Sequence, residues 1–365
     1  MNRVVCHLDL DYFYAQIEEV ENPSLKLLPV LVCVYSGRTA ESGVVSTANY
    51  KAREHGIKSG MPIVLAKRRL AQTEAVFIPM KHEKYEAYSE RIMSALRGEV
   101  DVLEQAGIDE AFFDITKRTG GDYGLAAASA LEIKAKIFNE EKLTCSVGVG
   151  PNKVVAKIAS DFKKPDGLTI VRPDEALSFL SPLPVEKIYG VGPKTARLLE
   201  EEQIKTIAGL AGAPIEKLED LLGKKLAVYL YKAANGSEDE PVVDDRAGST
   251  QLSRMITLKS DTRDLDQILA QLTPAIKDLD DRLVSRNVFF RTISVMGILH
   301  DLSIRTKSRT IETPTNDYSV LEREAKDLLR LLLAEVGGGG LRRAGVRASD
   351  LENMVDQSSL NEFLT

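Results

Sequence analysis

Residues 3–13 read RVVCHLDLDYF, and residues 107–114 read GIDEAFFD. Between them these two stretches decide the fold. The apolar run 3–10 predicts a short buried strand in which His7 and Asp9 face opposite to Cys6 and Leu8. A carboxylate at the end of such a strand needs a partner or a cation, because burying it alone is costly. In the second stretch Asp109 and Glu110 follow the turn Ala106-Gly107 and precede the apolar run AFFDI, so 100–104 and 111–115 read as strands flanking that turn. Asp11 and Asp114 are the remaining acids of the two stretches.

Working outward, helical periodicity fills 82–98, 123–139 and 151–162, and 144–149 reads as a further strand. Strand, helix, strand, strand, helix, strand is a ferredoxin-like order, an antiparallel sheet with helices on one face. Residues 19–77, which include the apolar strand 29–35, interrupt this order as an insertion. Residues 169–234 are mostly helical. The stretch NGSEDEPVVDD (235–245) is polar, acidic and broken by Gly and Pro, and reads as a linker. Strands near 250–259 and 290–299 and helices near 264–284 and 319–335 predict a further α/β domain. The run 337–340 separates its last helix from LRRAGVRASDL, and a tail closes the chain. The expected fold class is α+β and multidomain.

The chain has 365 residues, 44% apolar and 28% charged, the composition of a soluble globular protein of two or three domains. It offers no run of 18 or more apolar residues, so no membrane-spanning helix is expected, and acids stand where a signal peptide would carry its apolar core. Cys6, Cys33 and Cys145 are scattered and in no CxxC spacing, which suits reduced thiols in the cytoplasm. Net charge is −6, but 246–347 hold 17 Lys/Arg against 13 Asp/Glu. A basic region beside acidic ones suits a local phosphate-facing surface.

Adjacent like charges beside a third carboxylate are destabilising without cations. Two hard divalent ions with oxygen ligands, roughly 3.5–4 Å apart, resolve the crowding. One would activate a hydroxyl nucleophile and the other would hold leaving phosphates. Spacing alone leaves a second reading open, in which the acids are caps or turn residues on solvated ends. The neighbouring sequence decides. LDLDYFYAQIEEVENP (8–23), VVSTANYKAREHGIKSGMP (44–62), GIDEAFFD, CSVGVGPNKVVAKIASDFKKPDGL (145–168) and GVRASDL (345–351) stand in the order of the Y-family (translesion) DNA polymerases of archaea, which the chain resembles over essentially its whole length.

That resemblance implies a palm at 1–18 and 78–168, fingers at 19–77, a thumb at 169–234, a little finger domain at 246–347 and a C-terminal tail at 348–365. It implies low-fidelity, template-directed DNA synthesis past damaged bases from deoxynucleoside triphosphates on primer-template DNA, without proofreading. Asp9, Asp109 and Glu110, with the Leu10 carbonyl, become ligands of two Mg²⁺ ions, for which Mn²⁺ can substitute. Asp9 and Asp109 bridge, and Glu110 lies nearer the primer hydroxyl. Tyr50 and Arg53, three apart on a predicted helix, project from one face; the resemblance sets them with Thr47 and Lys164 around the β- and γ-phosphates. It puts Tyr12, Phe13 and Tyr14 at the nucleotide, Tyr14 as the steric gate against a 2′-hydroxyl, and Val44, Ser46 and Gly60 as a loose roof over the base pair. Gly107 is a departure, since the family usually carries Ser there.

Ile188–Lys194 has the form of a helix-hairpin-helix, with Gly190, Gly192 and Lys194 facing a DNA phosphate. Arg305, Lys307 and Arg309 alternate, so one strand face presents all three, and Arg342, Arg343 and Arg347 follow in the last strand, as on a sheet that tracks a DNA backbone. Gln357, Leu360, Phe363 and Leu364 are similar to the peptide that plugs into sliding clamps of the PCNA type. A monomeric cytoplasmic enzyme is expected. Two other readings compete: a palm-type nucleotidyl cyclase and a catalytically silent DNA-binding protein that rides the clamp.

Overall fold

The computed structural model describes residues 1–244, 250–337 and 339–353. The chain divides into two compact units, the first comprising Met1–Val34 and Val44–Arg246, the expected linker included, and the second comprising Tyr35–Gly43 and the C-terminal domain from Ala247.

In the first unit the order is β1 (Val5–Leu10), α1 (Phe13–Glu21), β2 (Val30–Tyr35), β3 (Gly43–Ala48), α2 (Tyr50–Glu54), α3 (Ile63–Arg69), β4 (Val76–Pro79), α4 (His82–Arg97), β5 (Val102–Gln105), β6 (Glu110–Asp114), the short α5 (Thr116–Thr119), α6 (Tyr123–Glu141), β7 (Cys145–Gly150), α7 (Lys153–Phe162) and β8 (Leu168–Ile170). Five helices follow: α8 (Ala176–Leu180), α9 (Pro193–Glu201), α10 (Ile207–Ala211), α11 (Ile215–Leu222) and α12 (Lys224–Ala234).

The five-stranded sheet runs β5-β6-β1-β7-β8. Strand β1 lies at its centre, antiparallel to β6 and β7, which is why it is apolar on both faces. Cys6, Leu8 and Leu10 enter one core with α4 and α6. Sequence reasoning put helices on that face alone. The structure corrects this: α7 covers the opposite face, with Ala156 packed on Val5 and Ser160 bonded to His7. Such close approach depends on Gly148 of β7. A Cβ there would stand 2.0 Å from the Ala156 carbonyl oxygen and 2.3 Å from the Ser160 nitrogen. Gly148→Ala should therefore destabilise the fold by about 3 kcal/mol or more, the upper end of overpacking penalties. Chemical denaturation checks this, and a loss under about 1 kcal/mol would mean that α7 can lift from the sheet.

The insertion forms its own three-stranded sheet, β3-β2-β4. Helix α1 runs to Glu21, so it crosses the expected boundary at residue 19. Buried Asn49 fastens the insertion: its side chain accepts from Val30 N and Ala52 N, both at 3.0 Å, and donates to Glu19 at 2.7 Å.

The expected linker is not simply solvated chain. Arg3 donates to the Glu240 carbonyl at 2.7 Å, Val243 N donates to Glu104 at 2.8 Å, and Val242, 8% exposed, packs with Val5 and Ala156. An apolar Pro-Val-Val segment among acids takes the apolar surface that β1 and α7 leave uncovered.

The second unit contains β9 (Gln251–Thr262), α13 (Leu265–Ser285), β10 (Val288–Leu299), β11 (Ile304–Thr315), α14 (Tyr318–Glu335), β12 (Leu341–Ser349) and the short β13 (Glu352–Asn353). Asp264 and Asp317 cap the two helices by accepting from Gln267 N and Ser319 N. The antiparallel sheet runs β11-β10-β12-β9, with both helices packed on one face over Ile293, Val295, Ala344 and Val346. Both units thus use strand, helix, strand, strand, helix, strand, but with different strand orders.

Candidate active site

Register brings the acids together. Asp9 of β1 lies directly across from Glu110 of β6, and Leu10 N donates to the Asp109 carbonyl at 2.8 Å. Burial, then the charges of Asp9 and Glu110, pushes the Asp109 carboxyl up to about 6. The other two acids already hold cations. Lys164 Nζ lies 2.7 Å from Asp9 Oδ1. Glu110 turns to His7, whose Nε2 is 3.2 Å from Oε2, and to the ammonium of Lys157. The His7 hydrogen bond and then Lys157 pull Glu110 down to about 2 against its own burial, while burial holds the imidazole of His7 below its usual range. A neutral ring donating its N–H to an ionised carboxylate satisfies both shifts. Among the described residues no three His, Cys, Asp or Glu side chains are arranged as a ready-made metal cage, and here Asp9 and Glu110 face Lys164, Lys157 and His7 instead.

Asp11 takes no part in this cluster. It is buried and accepts from Thr144 Oγ1, Ser146 Oγ and Asp166 N, each at 2.8 Å, which leaves it a fastener for the loop that carries Lys164. Asp114 pairs in register with Val5, at the other end of β1 from Asp9.

Around the carboxylates stand several of the expected nucleotide contacts. The half-buried ring of Tyr14 packs 4.5 Å from Tyr85, and burial and then Asp109 push its hydroxyl up to about 12. Tyr12, in a left-handed turn at φ 34°, meets Tyr50 edge-on at 5.2 Å and donates to Glu19 at 3.1 Å. Tyr50 and Arg53 do share a face: the guanidinium lies 4.9 Å over the Tyr50 ring, and its Nε donates to the Ala48 carbonyl. The Tyr50 hydroxyl is buried without a partner among the described residues. The side chain of Phe13 is 1% exposed in the core, which leaves its backbone as the part that can serve a nucleotide. Thr47 and Ser46 lie on β3, Val44 is 42% exposed, and Gly60 at φ +82° hydrogen-bonds to Val45 with open space where its Cβ would be.

In the hairpin before α9, Gly190 takes φ +93°, which favours glycine, and Gly192 caps the helix with open space where its Cβ would be. Lys194 is exposed on the first turn of α9. The six basic residues expected at DNA in the second unit do not share one face. Arg305, Lys307 and Arg309 pair in register with Gly297, Val295 and Ile293, hence on the helix side, where Lys307 and Arg309 meet Glu335 and Glu324 at 2.5 Å. Arg343 and Arg347 are on the helix-free face, beside a row of hydroxyls that includes Ser294 and Ser308; their Nε atoms are buried without partners among the described residues. Arg342 sits at the bulge after Leu341. Gln357, Leu360, Phe363 and Leu364 lie outside the described residues.

Sequence reasoning missed His7, Lys157 and Ser160 as partners of the site. The available signal was the shared strand face of His7 and Asp9; nothing local pointed to α7.

Comparison with known proteins agrees with this geometry. The impB/mucB/samB family matches residues 8–161, its helix-hairpin-helix motif 173–201 and its C-terminal domain 249–361. DNA polymerase IV of Nitrosopumilus maritimus is 40% identical over 99% of both chains. DNA polymerase IV of Methanosarcina acetivorans is 43% identical over the whole of both. Among solved structures, a Y-family DNA polymerase chimera shares 39% identity at a TM-score of 0.90, covering 96% of this chain and 99% of its own. An insertion ternary complex of Dbh DNA polymerase shares 38% at a TM-score of 0.70, with the same coverage. The cyclase and silent-accessory readings find no support in these relatives. This chain belongs to the impB/mucB/samB family, the Y-family translesion DNA polymerases.

Proposed function

We propose that this polymerase extends a primer 3′ end on Asp9, Asp109 and Glu110, which with the Leu10 carbonyl hold two Mg²⁺ ions. The observation that supports this reading is the gathering of three carboxylates where the ends of β1 and β6 pair, with Asp109 lifted to about 6 by burial first and by the charges of Asp9 and Glu110 after it. An all-oxygen donor set with mutual repulsion fits hard divalent cations. When bound, such ions activate the primer hydroxyl and neutralise charge on the triphosphate.

The remaining work is positioning and charge compensation by the chain itself. Lys164, Arg53, Thr47 and the unpaired hydroxyl of Tyr50 supply cations and donors for β- and γ-phosphates. Tyr14 lies under the sugar. Val44, Ser46 and Gly60 make a roof that presses weakly on the base pair, so geometry is checked poorly and damaged templates are accepted. Arg343 and Arg347, with the neighbouring hydroxyls, hold the DNA backbone without reading bases. The reading is of a monomeric cytoplasmic enzyme. Primer extension with Mg²⁺ on primed template tests it; absence of extension, or equal turnover of triphosphate without DNA, would overturn it.

The tail adds a partner, a sliding clamp of the PCNA type, supported by the spacing of Gln357, Leu360, Phe363 and Leu364. Deleting 357–365 should leave distributive synthesis unchanged and remove stimulation by the clamp. Equal stimulation of both forms in a processivity assay would refute this.

A further inference from the structure

We infer that His7 is a positioning residue for Glu110, its imidazole anchored by Ser160 on one side and presenting Nε2 to the carboxylate on the other. The inference rests on the reading of Glu110 as a metal ligand. His7 is 1% exposed and two residues before Asp9 on the same strand face. Its Nδ1 lies 2.8 Å from Ser160 Oγ, which is itself 2.8 Å from the Lys157 carbonyl oxygen, so α7 fixes the ring's orientation. Phe112 holds the ring plane, with centroids 4.6 Å apart. Nε2 is 3.2 Å from Glu110 Oε2 and 3.3 Å from Lys157 Nζ.

His7 and Lys157 both meet Oε2. That anchors one carboxylate oxygen and leaves Oε1 on the side of Gly107, where a Cβ would stand 3.7 Å from it and 3.1 Å from Glu110 Cγ. Glu110 is thus steered from one end only, with no side chain at 107 to crowd the other. A hydrogen-bond partner that orients a metal-ligating carboxylate is worth 10- to 100-fold in affinity or rate, on the order seen for such partners generally. A merely structural His7 predicts something else. Its ring packs like an aromatic against Phe112, so phenylalanine would replace it well.

Three substitutions separate the cases. Glutamine reaches the position of Nε2 and can keep the donor to Glu110; asparagine reaches only Nδ1; phenylalanine keeps the ring and loses both nitrogens. Mn²⁺ alone, titrated into DNA-free protein and followed by electron paramagnetic resonance, should bind roughly tenfold more weakly to His7→Phe and His7→Asn. His7→Gln should bind within about threefold of wild type. In primer extension the first two should lose kcat by about 10- to 100-fold with KM for the nucleotide changed less than about twofold, and His7→Gln should recover most of the loss. Melting temperatures establish that each variant folds; should His7→Phe not fold, the Asn and Gln pair still decides. Wild-type Mn²⁺ affinity and kcat in both Phe and Asn variants, or equal losses in Asn and Gln, would overturn the inference. Glu110→Ala is the separating control. If it binds Mn²⁺ as tightly as wild type, the ligand reading falls and this inference with it; if it binds weakly while every His7 variant binds normally, only the inference falls.

Discussion

Asp109→Asn is expected to lower kcat/KM for primer extension on the order of a thousandfold, about 4 kcal/mol of lost transition-state stabilisation. Asparagine has the shape of aspartate, so the Leu10 N–H to Asp109 carbonyl bond and the turn before β6 survive. What disappears is one of three charges crowded at the strand ends, the one that burial and its two neighbours most disfavour. The metal-free variant should therefore melt no lower than wild type, because repulsion has been removed. Added Mg²⁺ should raise the melting temperature of wild type and leave the variant nearly unmoved. This combination, a silent enzyme with an intact fold, distinguishes loss of a cation ligand from loss of structure. An Asn variant that extends primers within about tenfold of wild type would remove Asp109 from the site.

The same residues show how far the sequence could be read. The alternation through Cys6, His7, Leu8 and Asp9 states which side chains share a face, and β1 obeys it. Turn and apolar run after residue 105 announce β6, and the string of elements in both units was legible for the same reason: it is local. Strand order is not local. Two units with one element string have two sheet orders. Periodicity also gives a face without saying what covers it. Arg305, Lys307 and Arg309 do alternate as read, yet α14 lies on their side, so two of the three end in ion pairs. Likewise α7 was visible as a helix, but its place opposite the main core depends on Gly148, whose meaning exists only once Ala156 lies against it. His7, Lys157 and Ser160 are separated from Glu110 by 47 residues or more, and only packing joins them.

Tyr14→Ala should admit ribonucleotides, lowering the preference for dATP over ATP by a factor on the order of 100, about 3 kcal/mol. A flexible aromatic could not exclude a hydroxyl, because it would swing aside for less than the clash costs. Tyr14 is not free to swing. Its ring is seated 4.5 Å from Tyr85, tilted 33° to it, and 5.5 Å from Phe13, which is itself locked in the core. Tyr85 in turn donates to buried Glu18 at 2.7 Å, so the wall behind the gate is fixed by packing and by a hydrogen bond. Alanine removes the ring and leaves this wall standing, which opens space beside Asp109 without disturbing the carboxylates. Incorporation of dATP should fall modestly and that of ATP should rise, and Tyr14→Phe should behave as wild type, since the ring and not the hydroxyl does the excluding. Single-nucleotide incorporation measured as kcat/KM for dATP and ATP decides it. An unchanged ratio in Tyr14→Ala would mean that discrimination against the 2′-hydroxyl is made elsewhere in the pocket.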